Sequence, residues 1–292
     1  MFELIQVAEN TFYINCPAKM GVYRLFNNKV ILVDSGNDKD AGRKILKIIN
    51  ENNWTLEAII NTHSNADHIG GNKFLSDRTG CKIYTTGIEK AFCEFPVLEP
   101  AFLFGGFPNK YLRHKFLFAE PSRVEDITGF ILPQNMEIFP LKGHYFDMIG
   151  VKTPDDVYFM ADCVSSETIL EKYHISFIYD VAEYLKTLDK IEQMNGKVFI
   201  PAHTDVIETM KHLAGINRQK VFEIIENIKQ ICEEDVSFEE ILKKIFDNYN
   251  LTMDITQYVL AGSTIKSYLS YLLDNNIVKI KIQDNNLLWK TV

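Results

Sequence analysis

The chain lacks the features that define several protein classes. Its five cysteines are odd in number, widely spaced and form no Cys-x-x-Cys pair, which excludes a disulfide framework and favours a reducing compartment. No stretch approaches about 18 consecutive apolar residues, and no basic segment followed by an apolar one begins the chain. We therefore expect a cytoplasmic protein that does not bind membranes. The chain has 31 basic and 39 acidic residues and a net charge of -8, so it has no overall positive electrostatic potential that would attract nucleic acid.

What is present is ordinary globular composition, with 46% hydrophobic and 24% charged residues among 292. Short apolar runs alternate with helical patterns up to about residue 205, which predicts a layered α/β architecture. The predicted strands cover residues 2–7, 11–16, 22–26, 29–33, 56–61, 81–85, 136–141, 148–152, 157–161 and 197–200, and the clearest predicted helices cover 40–50 and 181–194.

The pattern changes after residue 205. Residues 206–235 look helical throughout, and Ser237 with Glu240 forms a capping box that opens another helix. Two short helices (254–260 and 263–273) and a hairpin are expected to follow, which together are typical of a winged helix-turn-helix. Six basic and six acidic residues cancel over 236–292, so nucleic-acid binding by this unit is disfavoured.

The strongest chemical signal is the segment Thr62-His63-Ser64-Asn65-Ala66-Asp67-His68, which directly follows a predicted strand. Imidazole nitrogen and carboxylate oxygen both bind Zn²⁺, and a loop can turn several such groups toward one point. Four more candidate groups stand where predicted strands end: Asp34, His144, Asp162 and His203. The repetition predicts a metal site at the strand ends.

This ordered set resembles the metallo-β-lactamase fold superfamily over roughly residues 1–215. The resemblance implies an αββα four-layer sandwich at 1–215, followed here by a connecting helix at 216–235 and a winged-helix-like α+β domain at 236–292. It also implies a hydrolase that uses a metal-activated water.

The roles of the family's residues carry over by position. His63 and His144 would serve a first metal site, and Asp67, His68 and His203 a second. Asp162 would bridge the two, Asp34 would orient the ligand loop behind them, Asp67 would also accept the proton of the attacking water, and Tyr145 is a candidate for substrate contact. The expected ions are one or two Zn²⁺, with iron and manganese open.

One position departs from the family pattern, because Asn65 stands where a histidine is expected. An amide oxygen is a weaker and harder donor than imidazole. Three consequences are open at this point: the first site is weak or empty, it is filled by Asn65 or water, or catalysis is lost.

The motif does not choose a substrate. We expect a small ester, thioester or lactone-type molecule, with an RNA or DNA phosphodiester and a catalytically impaired, ligand-sensing regulatory role as alternatives. Residues 95–118 carry seven Phe or Tyr side chains and interrupt the α/β alternation. This aromatic segment is either a pocket wall or lid, or a packed excursion or homodimer contact.

Overall fold

The computed structural model describes residues 2–292. The strands are β1 (Glu3–Gln6), β2 (Thr11–Asn15), β3 (Met20–Arg24), β4 (Lys29–Val33), β5 (Thr55–Ile60), β6 (Lys82–Thr85), β7 (Glu125–Asp126), β8 (Glu137–Pro140), β9 (Ile149–Lys152), β10 (Val157–Ala161), β11 (Val198–Pro201), β12 (Val236–Ser237), β13 (Val278–Gln283) and β14 (Asn286–Thr291). The helices are α1 (Lys39–Glu51), α2 (Ala66–Ile69), α3 (Asn72–Thr79), α4 (Gly87–Glu94), α5 (Leu98–Phe104), α6 (Glu167–Tyr173), α7 (Val181–Glu192), α8 (Lys211–Ile231), α9 (Phe238–Asn248) and α10 (Ile255–Asp274). The prediction of a mixed α/β protein is confirmed.

The strands form three sheets. The first has the order β1 to β7, antiparallel up to β4 and parallel from β4 onward. The second has the order β11-β10-β9-β8, in which β10 and β11 run parallel. The third, β12-β14-β13, is antiparallel and lies in the C-terminal segment. Because parallel neighbours end at the same edge, the loops after β4 and β5 leave together, as do those after β10 and β11.

Apolar side chains join the first two sheets face to face. Ile31 and Ile60 of the first sheet belong to the same buried cluster as Val151 and Phe159 of the second. The opposite face of the first sheet packs on α1 through a further cluster that includes Ile45. A strand that is buried on both faces needs apolar side chains at successive positions, not only at every second one. This explains the sequences of β4, Lys-Val-Ile-Leu-Val, and β10, Val-Tyr-Phe-Met-Ala. The four-layer αββα arrangement remains a prediction.

The C-terminal segment contains one long helix where two short ones were predicted. The capping box of Ser237 and Glu240 is present at the start of α9, but α10 runs unbroken from Ile255 to Asp274. Gly262 does not interrupt α10, because its buried neighbours continue the apolar face and outweigh a glycine cost of about 1 kcal/mol. A Cβ at Gly262 would lie 3.6 Å from the Phe238 ring of α9, so the two helices pack closely there.

The core of the C-terminal segment is continuous with the rest of the protein. Ile241 of α9 and Tyr268 of α10 belong to the same buried cluster as Leu141 and Tyr184. The division at residues 215 and 236 and the winged-helix-like identity of this segment therefore remain predictions. Although α8 and α10 have 21 and 20 residues, no helix within residues 2–292 is long and apolar enough to cross a membrane.

Candidate metal centre

The predicted ligand residues leave the two facing sheets at neighbouring ends. Asp34 follows β4, the loop of residues 62–68 follows β5, Asp162 follows β10 and His203 lies just beyond β11. His144 lies between β8 and β9, next to Gly143. Gly143 has φ +115°, and a Cβ there would lie 2.3 Å from the Tyr184 backbone, so only glycine allows this loop to pack against α7.

The structure brings these side chains into two adjoining clusters of candidate ligand atoms. Within each cluster the atoms lie within 4.8 Å of one another, and the members are His63, His144 and Asp162 in the first and Asp67, His68 and His203 in the second. Asp162 stands between them: its Oδ1 is 3.2 Å from Nε2 of His68, while its Oδ2 is 3.2 Å from Nε2 of His203 and 3.7 Å from Nε2 of His144. This is the position expected of a bridging carboxylate.

Each of the four histidines turns its Nδ1 away from the centre, toward an oxygen. The Nδ1 contacts are His63 to Thr62 Oγ1 at 3.0 Å, His68 to Asp34 Oδ2 at 2.8 Å, His144 to the Phe177 carbonyl at 3.0 Å and His203 to the Pro17 carbonyl at 2.9 Å. Because the Thr62 hydroxyl donates to Asp34, its oxygen is left to accept from His63. In neutral imidazoles this arrangement leaves the Nε2 lone pairs facing inward.

Asp34 ties the ligand loop to the end of β4. Its Oδ1 accepts from the Thr62 backbone N–H at 2.8 Å, and its Oδ2 accepts from the Thr62 hydroxyl and from His68 Nδ1. The residue is buried and has φ +63°, a conformation that costs energy in a residue other than glycine. The contacts fit the role of orienting the loop without touching an ion.

The inward-facing atoms suit a cation. Within residues 2–292, Nε2 of His63, Nε2 of His68 and Oδ1 of Asp162 are buried and make no hydrogen bond, although the last two atoms lie 3.2 Å apart. This is costly for a polar atom unless a further group satisfies it. Donors about 2.0–2.1 Å from a tetrahedral ion stand about 3.3–3.4 Å apart. In the second cluster, Asp67 Oδ2 lies 3.3 Å from His203 Nε2 and 3.8 Å from His68 Nε2. Oδ2 of Asp162, between the clusters, lies 3.2 Å from His203 Nε2, so two of these three distances are close to that spacing.

Protons supply the compensating charge when no metal is bound. The charge of Asp162 outweighs burial and raises the pKa of His203 to about 10. Burial disfavours charge on His68, but Asp162 and Asp67 together raise its pKa well above 6.5. Burial also raises the pKa of Asp67, yet the neighbouring imidazolium groups prevail and hold it at about 2. Carboxylates and imidazoles in this cluster therefore interact strongly, and a divalent cation would bind the deprotonated imidazoles with release of protons.

Asn65 lies beside the first cluster. Its Oδ1 is 3.2 Å from Nε2 of His144, and its Nδ2 donates to Oε1 of Glu99 at 2.7 Å. Glu99 is buried in α5, and burial raises its pKa well above 4.5. We did not predict Glu99 from the sequence, although it is the only acidic residue in the aromatic segment 95–118.

Tyr145 requires a correction. Its side chain is fully buried, its hydroxyl has no hydrogen-bond partner within the described residues, and its ring packs edge-on against Phe92 and Phe146. An aromatic ring enclosed in this way serves the core behind His63 rather than substrate. The resemblance suggested substrate contact because the family often has a small hydroxyl residue after this histidine, but here the loop turns Tyr145 inward.

Glu89 is a second residue that sequence reasoning missed. It is fully buried on α4, where Oε2 accepts from the backbone N–H of Ser64 at 3.0 Å and Oε1 from that of Asp147 at 2.8 Å. These bonds join the loop of His63 to the loop of His144. Burial raises the pKa of Glu89 from 4.5 to about 7, even though the Ser64 hydroxyl and the two N–H groups lower it.

The pKa of Glu89 predicts a pH-dependent effect of Glu89→Gln. A carboxyl whose folded pKa is raised loses its stabilising contribution as pH rises through about 7, on the order of 3 kcal/mol in total. Glutamine avoids that loss but leaves one buried N–H unpaired, at about 1–3 kcal/mol. The variant should therefore have a lower free energy of unfolding than the parent at pH 5, and this difference should disappear by pH 8.

Urea unfolding of the chelator-treated proteins at both pH values measures this difference. Glu94→Gln, in the same helix but partly exposed, is the matched control and should show no such change. A Glu89→Gln deficit that is equal at pH 5 and pH 8 would contradict the raised pKa.

Cavities open on either side of the two clusters. One, of about 240 Å³, is lined by His144, Asp162 and His203 together with Phe177 of the loop before α7 and Leu260 of α10. A smaller one of about 170 Å³ adjoins it and contains Asn65, Asp67 and Glu99. A third, of about 550 Å³, reaches Asp67 and His203 from the side of α1. The candidate centre is therefore accessible, and α10 forms part of its wall.

Similar structures reproduce the fold over the whole chain. A beta-lactamase domain protein from Burkholderia ambifaria superposes with a TM-score of 0.78 at 17% identity, covering 99% of this chain and 94% of that one. A metallo-beta-lactamase family protein from Thermus thermophilus gives a TM-score of 0.70 at 14% identity, with 100% and 98% covered. The C-terminal segment thus has a counterpart in both.

Sequence comparison agrees with the structural one. Beta-lactamase-like protein 2 homolog from Drosophila melanogaster is 21% identical over 227 residues, which make up 74% of this chain and 70% of that protein. The profile of the metallo-beta-lactamase superfamily matches residues 15–203, which include every candidate ligand described above. Members of that superfamily are generally metal-binding hydrolases. With this match over more than half of its length, the chain belongs to the metallo-beta-lactamase superfamily.

Proposed function

We propose that the protein is a metal-dependent hydrolase of small esters or thioesters that carry an apolar acyl group. One observation carries the proposal: four histidines hold their Nδ1 atoms on oxygen acceptors and direct their Nε2 atoms toward Asp67 and Asp162. The proposal includes an αββα sandwich at 1–215 and a winged-helix-like unit at 236–292. The connecting segment predicted at 216–235 is helical as far as the end of α8 at Ile231.

His63 and His144 would hold a first ion with Asp162, and Asp67, His68 and His203 a second. An ion bound there would lower the pKa of a coordinated water to about 7 and supply a hydroxide at neutral pH. Asp67 is about one-third exposed and borders two of the cavities, so its carboxylate is placed to accept a proton from a water beside it. Zn²⁺ is the expected ion from the mixed nitrogen and oxygen donors.

The cavity between α10 and the loop before α7 supports an apolar acyl group. Beyond the candidate ligands, its wall includes the apolar side chains Val164, Ile169, Ile175, Phe177 and Leu260. At about 240 Å³ it has room for a short chain or a small ring. Leu260 lies on α10 in the C-terminal segment, and we propose that this segment forms part of the cavity wall.

The same cavity disfavours a nucleic-acid substrate. Neither it nor the smaller adjoining cavity has a Lys or Arg among its lining residues in the described part of the chain, whereas phosphodiester backbones are held by such cations. The second short helix predicted for this unit, residues 263–273, carries a single lysine, Lys266. We therefore propose no direct binding of RNA or DNA.

A substrate panel tests this function. The zinc-loaded protein should hydrolyse p-nitrophenyl hexanoate and hexanoyl thioesters, with little turnover of bis-p-nitrophenyl phosphate or single-stranded RNA. Leu260→Ser should lower kcat/KM for hexanoyl substrates about 10- to 100-fold and for acetyl substrates much less, because the longer chain loses its apolar contact.

Leu287→Ser, in the exposed hairpin strand β14, is the matched control and should leave both values unchanged. Turnover of the phosphodiesters alone would overturn the substrate class. Tight metal binding without turnover of any ester would favour a ligand-sensing role instead.

A further inference from the structure

The amide of Asn65 is held in one orientation by two neighbours. Its Nδ2 donates to Oε1 of Glu99 at 2.7 Å, and its Oδ1 lies 3.2 Å from Nε2 of His144. A carboxyl group offers an acceptor oxygen in either protonation state, so the NH₂ end of the amide faces Glu99 and the carbonyl end faces the first cluster.

The carbonyl oxygen of Asn65 then faces another acceptor. His144 donates its Nδ1 proton to the Phe177 carbonyl, so Nε2 of the neutral ring has a lone pair but no proton. Two acceptor atoms 3.2 Å apart repel unless a cation lies between them. Nε2 of His63, buried and without a hydrogen-bond partner among the described residues, belongs to the same cluster.

We propose that Glu99 is a positioning residue that fixes the amide of Asn65 so that Oδ1 serves as a ligand of the first metal site. The site would then have two imidazole nitrogens, from His63 and His144, and two oxygens, from Asn65 and Asp162. Asn65 is thereby a working ligand that depends on a partner contributed by the aromatic segment.

The location of Glu99 separates this role from ordinary core packing. It is only 5% exposed, lies on α5 rather than on a strand end, and borders the small cavity that also contains Asp67, His144 and Asp162. A buried carboxyl group in an apolar segment is costly unless its bonds are used. The hydrogen bond from Nδ2 of Asn65 to Glu99 gives this buried carboxyl group a function, because it fixes the orientation of the amide that would bind the metal.

The inference rests on the proposed metal centre, and the test is therefore metal affinity rather than activity. Chelator-treated protein is titrated with Zn²⁺ by calorimetry, and the weaker of its two binding events is assigned to the first site. Glu99→Ala should weaken that event about 10- to 100-fold, the usual effect of removing a partner of a ligand, and leave the tighter event unchanged. Glu99→Gln keeps an acceptor oxygen and should restore most of the affinity.

The double variant Asn65→Ala/Glu99→Ala distinguishes positioning from direct ligation. If Glu99 acts through Asn65, the double variant binds Zn²⁺ no more weakly than Asn65→Ala alone. An additional loss in the double variant, or a Glu99→Gln as weak as Glu99→Ala, would show that Glu99 is itself a ligand and overturn the inference. Glu120→Ala, at an exposed position of the same region, is the control for folding and should match the parent in thermal stability and in both events.

Failure of the inference and failure of the proposed function give different results. A parent protein that binds no Zn²⁺ in either event would refute the metal centre as a whole. Two binding events in the parent, with both unchanged in Glu99→Ala, would leave the metal centre intact and refute only the role of Glu99.

Discussion

Asp162→Asn is expected to abolish tight binding at both metal sites and to lower hydrolysis by about 10³-fold or more, the scale on which removal of a main electrostatic group acts. Among the candidate ligands, Asp162 alone has two oxygens that approach both clusters, Oδ1 toward His68 and Oδ2 toward His203 and His144. The amide is neutral and can present only one oxygen. His203 also loses the charge that contributes most to its raised pKa.

The measurement is metal content after dialysis against equimolar Zn²⁺, together with ester hydrolysis. Asp156→Asn is a matched control, because it makes the same chemical change in the turn before β10 and occupies an exposed position with φ +62°, which asparagine tolerates. It should retain full metal content. An Asp162→Asn protein that keeps two ions would refute the bridging role.

The proximity of the candidate ligands was predictable from the sequence where these residues follow strands. Asp34, Asp162 and His203 each come directly after an apolar run, and parallel strands that are buried on both faces bring such ends together. The bounds of β4 and β10 agree with the predicted strands for the same reason, since a continuous apolar run leaves few alternative ends.

The supporting residues could not be predicted because they lie on helices with no local signal. Glu89 and Glu99 reach Ser64 and Asn65 across 25 and 34 positions of the chain. An isolated glutamate in a helical pattern usually faces solvent, and only the packing of α4 and α5 against the ligand loop reveals these two as buried. The contribution of Leu260 to the cavity wall could not be predicted for a related reason, because the sequence suggested a helix break near Gly262 and an independent C-terminal unit.

The segment of residues 95–118 shows both of the alternatives left open by the sequence. Leu103, Leu112 and Leu117 pack with Val259 of α10, so part of the segment is core. Phe116 lies at the edge of two cavities beside the candidate centre, while Phe107 and Tyr111 are well exposed. The segment thus connects α10 to the site, and Glu99 is its contribution to the proposed chemistry.

The second large effect is expected from His203→Ala, compared with Asn65→Ala. His203 belongs to the cluster of Asp67, His68 and His203 and also lies 3.2 Å from Oδ2 of the bridging Asp162, so its loss should weaken the tighter Zn²⁺ site by more than about 100-fold. Asn65→Ala removes a neutral oxygen from the other cluster and should leave the tighter site unchanged. Calorimetric titration of both chelator-treated variants gives the two affinities directly.

Asn65→His completes the comparison, because it places imidazole where the superfamily pattern has it. The new ring can donate one N–H to Glu99, as Nδ2 of Asn65 does now, and direct its other nitrogen toward His63 and His144. The weaker Zn²⁺ event should tighten about tenfold or more while the tighter one stays as it was, since the second cluster does not include position 65. Equal losses of metal in His203→Ala and Asn65→Ala, or no tightening in Asn65→His, would mean that the two clusters do not act as separate sites of unequal strength.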